Sequence, residues 1–130
     1  MLKKINKFLL AVLLTLGFAL FLMCAWWYAP VVVHADSIEK VVNSDISENR
    51  LADCSAFKMD DVDFRNYWRS AKPIFEFELH DYSFGSCYYK SDEGGATYVV
   101  GIGGVGMVWR GQTTFYYAKE GVAPDANEGP

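Results

Sequence analysis

The run Gly101-Ile102-Gly103-Gly104-Val105-Gly106 has the G-x-G-x-x-G spacing of a dinucleotide-binding turn, and Glu120 follows downstream. Such a site needs a helix N-terminus directly after the glycines, to receive the pyrophosphate. Here Met107-Val108-Trp109-Arg110 follows, then Gly111 and the run Thr113-Thr114-Phe115-Tyr116-Tyr117. Residues of these types favour a strand. The glycines are therefore expected to make a tight turn or bulge, or to let a bulky neighbour lie across a sheet. No cofactor is expected.

His80 stands near Glu78, Asp81, Ser83 and Ser86, which offers a base, a carboxylate and a hydroxyl. A catalytic triad needs these groups to converge beside an oxyanion hole. Glu78 and His80 would share one face of a strand while Asp81 points elsewhere, and no G-x-S-x-G elbow is present. A solvated strand face accounts for the cluster better. Glu76 and Glu78 could pair for glycoside chemistry, but nothing nearby would raise the pKa of either. Asp60, Asp61 and Asp63 form an acidic cluster without the glycine and distal glutamate of a calcium loop. They suit the first turn of a helix, where the macrodipole favours carboxylates. No catalytic residue and no metal site is expected.

Of the three cysteines, Cys24 lies in the apolar leader described below. Cys54 and Cys87 are then alone in an oxidising compartment, and a Cys54–Cys87 disulfide is expected. Zinc is a poor rival, because there is no CxxC and His80 is the only histidine after residue 35.

The aromatic load is the strongest positive signal. It is too large to be central core throughout, and consecutive tyrosines send one ring to each face of a sheet. Exposed aromatics mark protein or carbohydrate contact surfaces. Tyr88, Tyr89, Trp109, Tyr116 and Tyr117 are the candidate binding residues. The competing account is that helices cover one face and the C-terminal tail part of the other.

The elements that must position these groups begin with a leader. Phe8–Val33 is almost wholly apolar, Lys3, Lys4 and Lys7 precede it, and no acidic residue appears before Asp36. It reads as a signal peptide cleaved after Ala35, with Val33 at −3 and Pro30 at −6. It also reads as an uncleaved anchor, because Phe8–Tyr28 as a helix spans about 30 Å. Trp26, Trp27 and Tyr28 would then form an outer aromatic belt. Cleavage is the reading the −3 and −1 residues favour. Either way the lysines stay cytoplasmic and the rest is exported, to the periplasm or beyond, or held at the inner membrane. The pattern is bacterial in style.

The leader holds three of the 12 basic residues and none of the 16 acidic ones, which leaves residues 36–130 at net −7. That charge argues against nucleic acid and anionic lipid as partners. The membrane enters only through residues 8–28, if they are retained. Residues 36–120 make one small domain and 121–130 a disordered tail.

Within the domain, Asp36-Ser37-Ile38-Glu39 resembles a capping box, and the spacing predicts a helix over 37–51. A second, short helix runs from Asp60-Asp61 to Ala71 or Lys72, before Pro73. The alternation Phe75, Phe77, Leu79 predicts a strand, and Tyr82–Gly85 a turn. Further strands are predicted at 86–90, 96–102, 105–110 and 113–119, with Ser91–Gly95 as a hairpin loop. The fold class is α+β: one or two N-terminal helices packed on an antiparallel four- to five-stranded meander, with a hydrophobic signal or anchor in front.

The function expected is an exported envelope binding module without catalytic activity. It would dock another envelope protein or a wall polymer through a tyrosine-rich face, in an inhibitor or immunity-type role. The alternative is a membrane-anchored accessory subunit of a secretion or conjugation apparatus.

Overall fold

The computed structural model describes residues 2–44, 48–82 and 85–119. The chain opens with α1 (Leu2–Trp27). Its stretch Asn6–Trp27 is long and apolar enough to cross a membrane, about 33 Å as a helix, and none of it is buried against the rest of the chain. The last turn tightens before Pro30, with Ala29 N–H donating to Trp26 O at 3.3 Å.

The remaining elements are β1 (Glu39–Val42), α2 (Glu48–Ala56), α3 (Asp61–Ser70), β2 (Ala71–Ile74), a 3-10 helix (Glu76–Asp81), β3 (Cys87–Glu93), β4 (Ala96–Gly101), β5 (Val105–Arg110) and β6 (Thr113–Lys119). The strands form one antiparallel six-stranded sheet of order β1-β3-β4-β5-β6-β2. The α+β class with an apolar N-terminal segment holds. The meander is β3 to β6, joined by tight turns. The two strands beyond it, β1 and β2, lie at opposite edges.

Helix α3 forms as its sequence dictates. Asp60 caps it, accepting from Asp63 N–H at 2.7 Å, and Asp61 and Asp63 fill its first turn. Phe64, Tyr67 and Trp68 fall on one stripe and are buried. Pro73 disfavours helix at Lys72, and the chain is already extended at Ala71.

Trp68 is the hub of the core. Its ring meets Tyr117 at 5.3 Å, Tyr67 and Tyr98 at 5.4 Å and Phe64 at 6.3 Å, all edge-to-face. The Tyr67 hydroxyl crosses the sheet and donates to Gly104 O at 2.8 Å. Burial pushes its pKa up. This crossing requires Gly106: a Cβ there would lie 2.7 Å from Tyr67 Cε1 and 3.0 Å from Trp68 Cη2. The glycine run is thus a β4–β5 turn followed by a seat for two aromatic rings, as strand chemistry implied.

Three expectations need correction. The helix predicted over 37–51 is a strand and a later helix. Ile38, Val41 and Val42 are β-branched, and β1 gains a ladder against β3, with Val41 opposite Tyr88 and Val42 opposite Cys87. Its Glu39 pairs with Lys90 Nζ at 3.2 Å instead of closing a capping box. Residues 45–47 lie outside the described residues.

The strand predicted from Phe75 is a 3-10 helix. The strand sits earlier, at 71–74, where Pro73 lacks an N–H and an edge position tolerates it. The Glu78 carboxylate then takes Phe75 N–H at 2.6 Å, and Glu78 N–H donates to Phe75 O at 3.0 Å. These two bonds close a turn that alternation alone does not foresee.

The loop predicted at Ser91–Gly95 is only a Gly94-Gly95 turn. β3 continues to Glu93, because Ser91 is buried opposite Tyr98 and both glycines take the left-handed conformation a two-residue hairpin needs. The expected tail at 121–130 and part of the 82–85 turn lie outside the described residues.

Candidate functional site

Strand register sorts the five candidate aromatics. Tyr89, Val100, Gly106 and Tyr117 line up across β3 to β6 on one face, where Tyr117 touches Trp68 and Tyr89 meets Phe57 at 5.2 Å. Tyr88, Trp109 and Tyr116 project from the opposite face. The structure therefore brings three of the five together and places the other two in or beside the core. Each consecutive tyrosine pair does split between faces, as the pleat requires.

On the open face the Tyr88 and Trp109 rings meet edge-to-face at 6.4 Å. They stand opposite Gly101 and Thr97 of β4, so Val99 lies between them and is fully buried. Met107 and Tyr116 continue the face, half-exposed, and Lys90, Asp92, Thr97 and Thr114 surround the rings with polar groups. Among the described residues, α2, α3 and the segment 31–38 all pack on the other face.

The Cys54–Cys87 disulfide is present, with Cα atoms 5.8 Å apart, and ties α2 to β3. Lys40 reinforces the same joint, which no sequence pattern flagged. Its ammonium donates to Cys54 O and Phe57 O at the end of α2 and lies 5.5 Å from the Tyr89 ring centroid. A cation is favoured at a helix C-terminus, where carbonyls lack partners.

The segment after α1 is part of the domain. Val33 is 4% exposed and Ala35 1%, and both belong to the core cluster with Phe64 and Trp68. Ala35 turns the chain with a positive φ of 52°. Between them, His34 is tied down by its backbone and its ring. Its N–H donates to Glu93 Oε2 at 2.9 Å, its ring meets Glu93 Oε1, and its carbonyl accepts from Arg65 at 3.0 Å. The hydrogen bond and charge of Glu93 raise the His34 pKa, and the bond to His34 lowers that of Glu93.

This pair sets a pH window. Histidine with a raised pKa stabilises the fold below 6.5, its ordinary value, and the gain fades as pH rises through the folded value. The lowered Glu93 stabilises above 4.5 and loses that effect in acid. The strap is therefore held best between about pH 4.5 and 6.5. An NMR titration should find His34 deprotonating above 6.5, and Glu93→Gln should return the midpoint close to that ordinary value.

Beside the strap lies a cavity of about 460 Å³. Trp26, Trp27 and Val31 form one wall, Pro73 and Phe75 another, and Tyr98, Val108 and Tyr117 lie on the sheet side. Phe75, 56% exposed, and Phe77, 72% exposed, stand next to it. The alternation predicts them on the buried face of a strand; the Pro-Ile-Phe-Glu-Phe order is the contrary signal, since a proline two residues before Phe75 shortens any such strand.

His80 lies in the exposed 3-10 helix. The nearby Glu78 is engaged with Phe75 N–H, and Ser83 lies outside the described residues. No protein-family model matches the chain, and neither does any curated protein or solved structure.

Proposed function

We propose that the chain is a membrane-tethered binding module that works outside the cytoplasm without catalysis. It docks another envelope protein or a wall polymer through the open sheet face, with Tyr88, Trp109 and Tyr116 as contact residues. The observation that carries this reading is the one-sided covering of the sheet. Among the described residues, α2, α3 and the segment 31–38 crowd one face, while the other keeps half-exposed aromatic rings ringed by polar side chains. That composition suits recognition, because aromatic anchors supply contact area and a polar rim excludes water. An inhibitor or immunity-type role is its concrete form.

The tether rests on Val33 and Ala35. Cleavage after Ala35 would remove two core side chains and both bonds to Glu93. Burying a valine alone contributes roughly 1.5–3 kcal/mol, a large loss for a small domain. This feature also favours the second reading, an anchored accessory subunit of a secretion or conjugation apparatus. The mass of the native protein tests the tether: a chain retaining residues 1–35 is expected, and one beginning at Asp36 overturns it.

The docking face is tested by capture from envelope extract and by co-sedimentation with wall polymer, using Tyr88→Ser/Tyr116→Ser. Loss of binding with unchanged circular dichroism is expected. Binding equal to the parent would remove the face from consideration. Tyr89 and Tyr117 are unsuitable for this test, because their loss would disturb the core.

A further inference from the structure

We propose that Phe75 and Phe77 seat the 3-10 helix in the outer interfacial layer of the bilayer, so that the domain lies against lipid instead of hanging from a free stalk. This rests on the tethered reading. Three rings form a ladder: Trp27 stacks on Phe75 at 6.0 Å, and Phe75 stacks on Phe77 at 5.5 Å with planes 7° apart. The first rung has a fixed depth. Trp27 ends the apolar stretch Asn6–Trp27, so a spanning helix puts it at the membrane–water boundary, where tryptophan and tyrosine concentrate. Trp26 and Tyr28 flank it, both well exposed.

The interfacial layer on each side of the hydrocarbon core is about 5–7 Å thick. A ring stacked directly on Trp27 lies within reach of that layer. Phe77 carries the apolar surface one ring further, and it is the most exposed aromatic of the three. Single exposed phenyl groups are ordinary on soluble domains. Two stacked phenyl rings continuous with the end of a span are a patch with a stated neighbour, the lipid.

The charges point to the kind of lipid. Glu76 lies exposed between the two phenylalanines, and residues 36–130 carry net −7. Acidic groups beside the patch disfavour an anionic surface and leave zwitterionic headgroups as the match. Contact then comes from ring burial, without the basic side chains that a charged membrane would recruit.

The test uses the full-length protein in phosphatidylcholine vesicles. A photoreactive benzophenone analogue of phenylalanine replaces Phe77 in one sample and Val42 in another. Val42 is also an exposed apolar residue, but it lies in β1, and β2, the strand that leads into the 3-10 helix, is at the other edge of the sheet, about 24 Å from β1 across five strand spacings. Lipid adducts should form severalfold more at 77 than at 42 after irradiation. Equal labelling at the two positions, or adducts at 77 that join two copies of the chain, would overturn the proposal. The same mass spectra report whether residues 1–35 are present. Their presence with poor lipid labelling sinks the interfacial seat alone, whereas their loss sinks the tether beneath it.

Discussion

Trp68→Ala unfolds the domain after α1 or leaves it barely folded at ambient temperature. The side chain is fully buried and touches four other aromatic rings, contributed by α3, β4 and β6. Its removal opens a cavity at the place where those elements meet. Loss of such a residue costs about 3–5 kcal/mol. Small domains have about 5–15 kcal/mol in total, so the domain would lose at least about a fifth of its stability, and nearly all of it at the low end of that range. Trp68→Phe is the informative partner. It keeps a ring in the cluster and deletes the indole Nε1, which has no hydrogen-bond partner among the described residues. An unsatisfied buried donor costs roughly 1–3 kcal/mol, so Phe should recover a good part of the loss. Urea denaturation of both variants checks this. Equal midpoints for Ala and Phe would mean that the indole contributes through shape that no smaller ring replaces.

Reduction of Cys54–Cys87, or the Cys54→Ala/Cys87→Ala variant, is expected to lower stability by about 3–4 kcal/mol. The bridge closes a loop across a separation of 33 residues, and that loop includes the end of α2, α3, β2 and the 3-10 helix. Opening it restores freedom to the unfolded chain. The effect should also be uneven in space. α2 loses its covalent tie to β3 and is left to non-covalent contacts such as Lys40 on Cys54 O and Phe57 O and Phe57 on Tyr89. Hydrogen exchange should therefore speed up most in α2, while β4 and β5 keep protection near the global value. Uniform acceleration across the sheet would mean that the bridge acts only on the unfolded state and does not dock α2.

The meander was legible because its signals are local. Val105–Arg110 and Thr113–Lys119 carry β-branched and aromatic runs bounded by glycine, and a two-residue turn needs nothing from elsewhere in the chain. Helix α3 was legible for the same reason, with its cap, stripe and terminating proline all between Asp60 and Pro73. Segments whose state depends on a distant partner were misread. Ile38–Val42 fits a helical stripe and an edge strand equally well, and β3 decides between them. Phe75–Leu79 alternates like a strand, but β6 had already paired with 71–74, and Glu78 captured the next free N–H.

By itself the sequence determined the apolar N-terminal helix, the α+β class, the paired cysteines and the fact that consecutive tyrosines must part. Those follow from composition, periodicity and the pleat, which act within a few residues. Tertiary structure decided which ring of each pair became core, that Gly106 makes room for Tyr67, and that Val33 and Ala35 belong to the domain. Register and burial are set by surfaces that meet only after folding, so no local pattern could carry them.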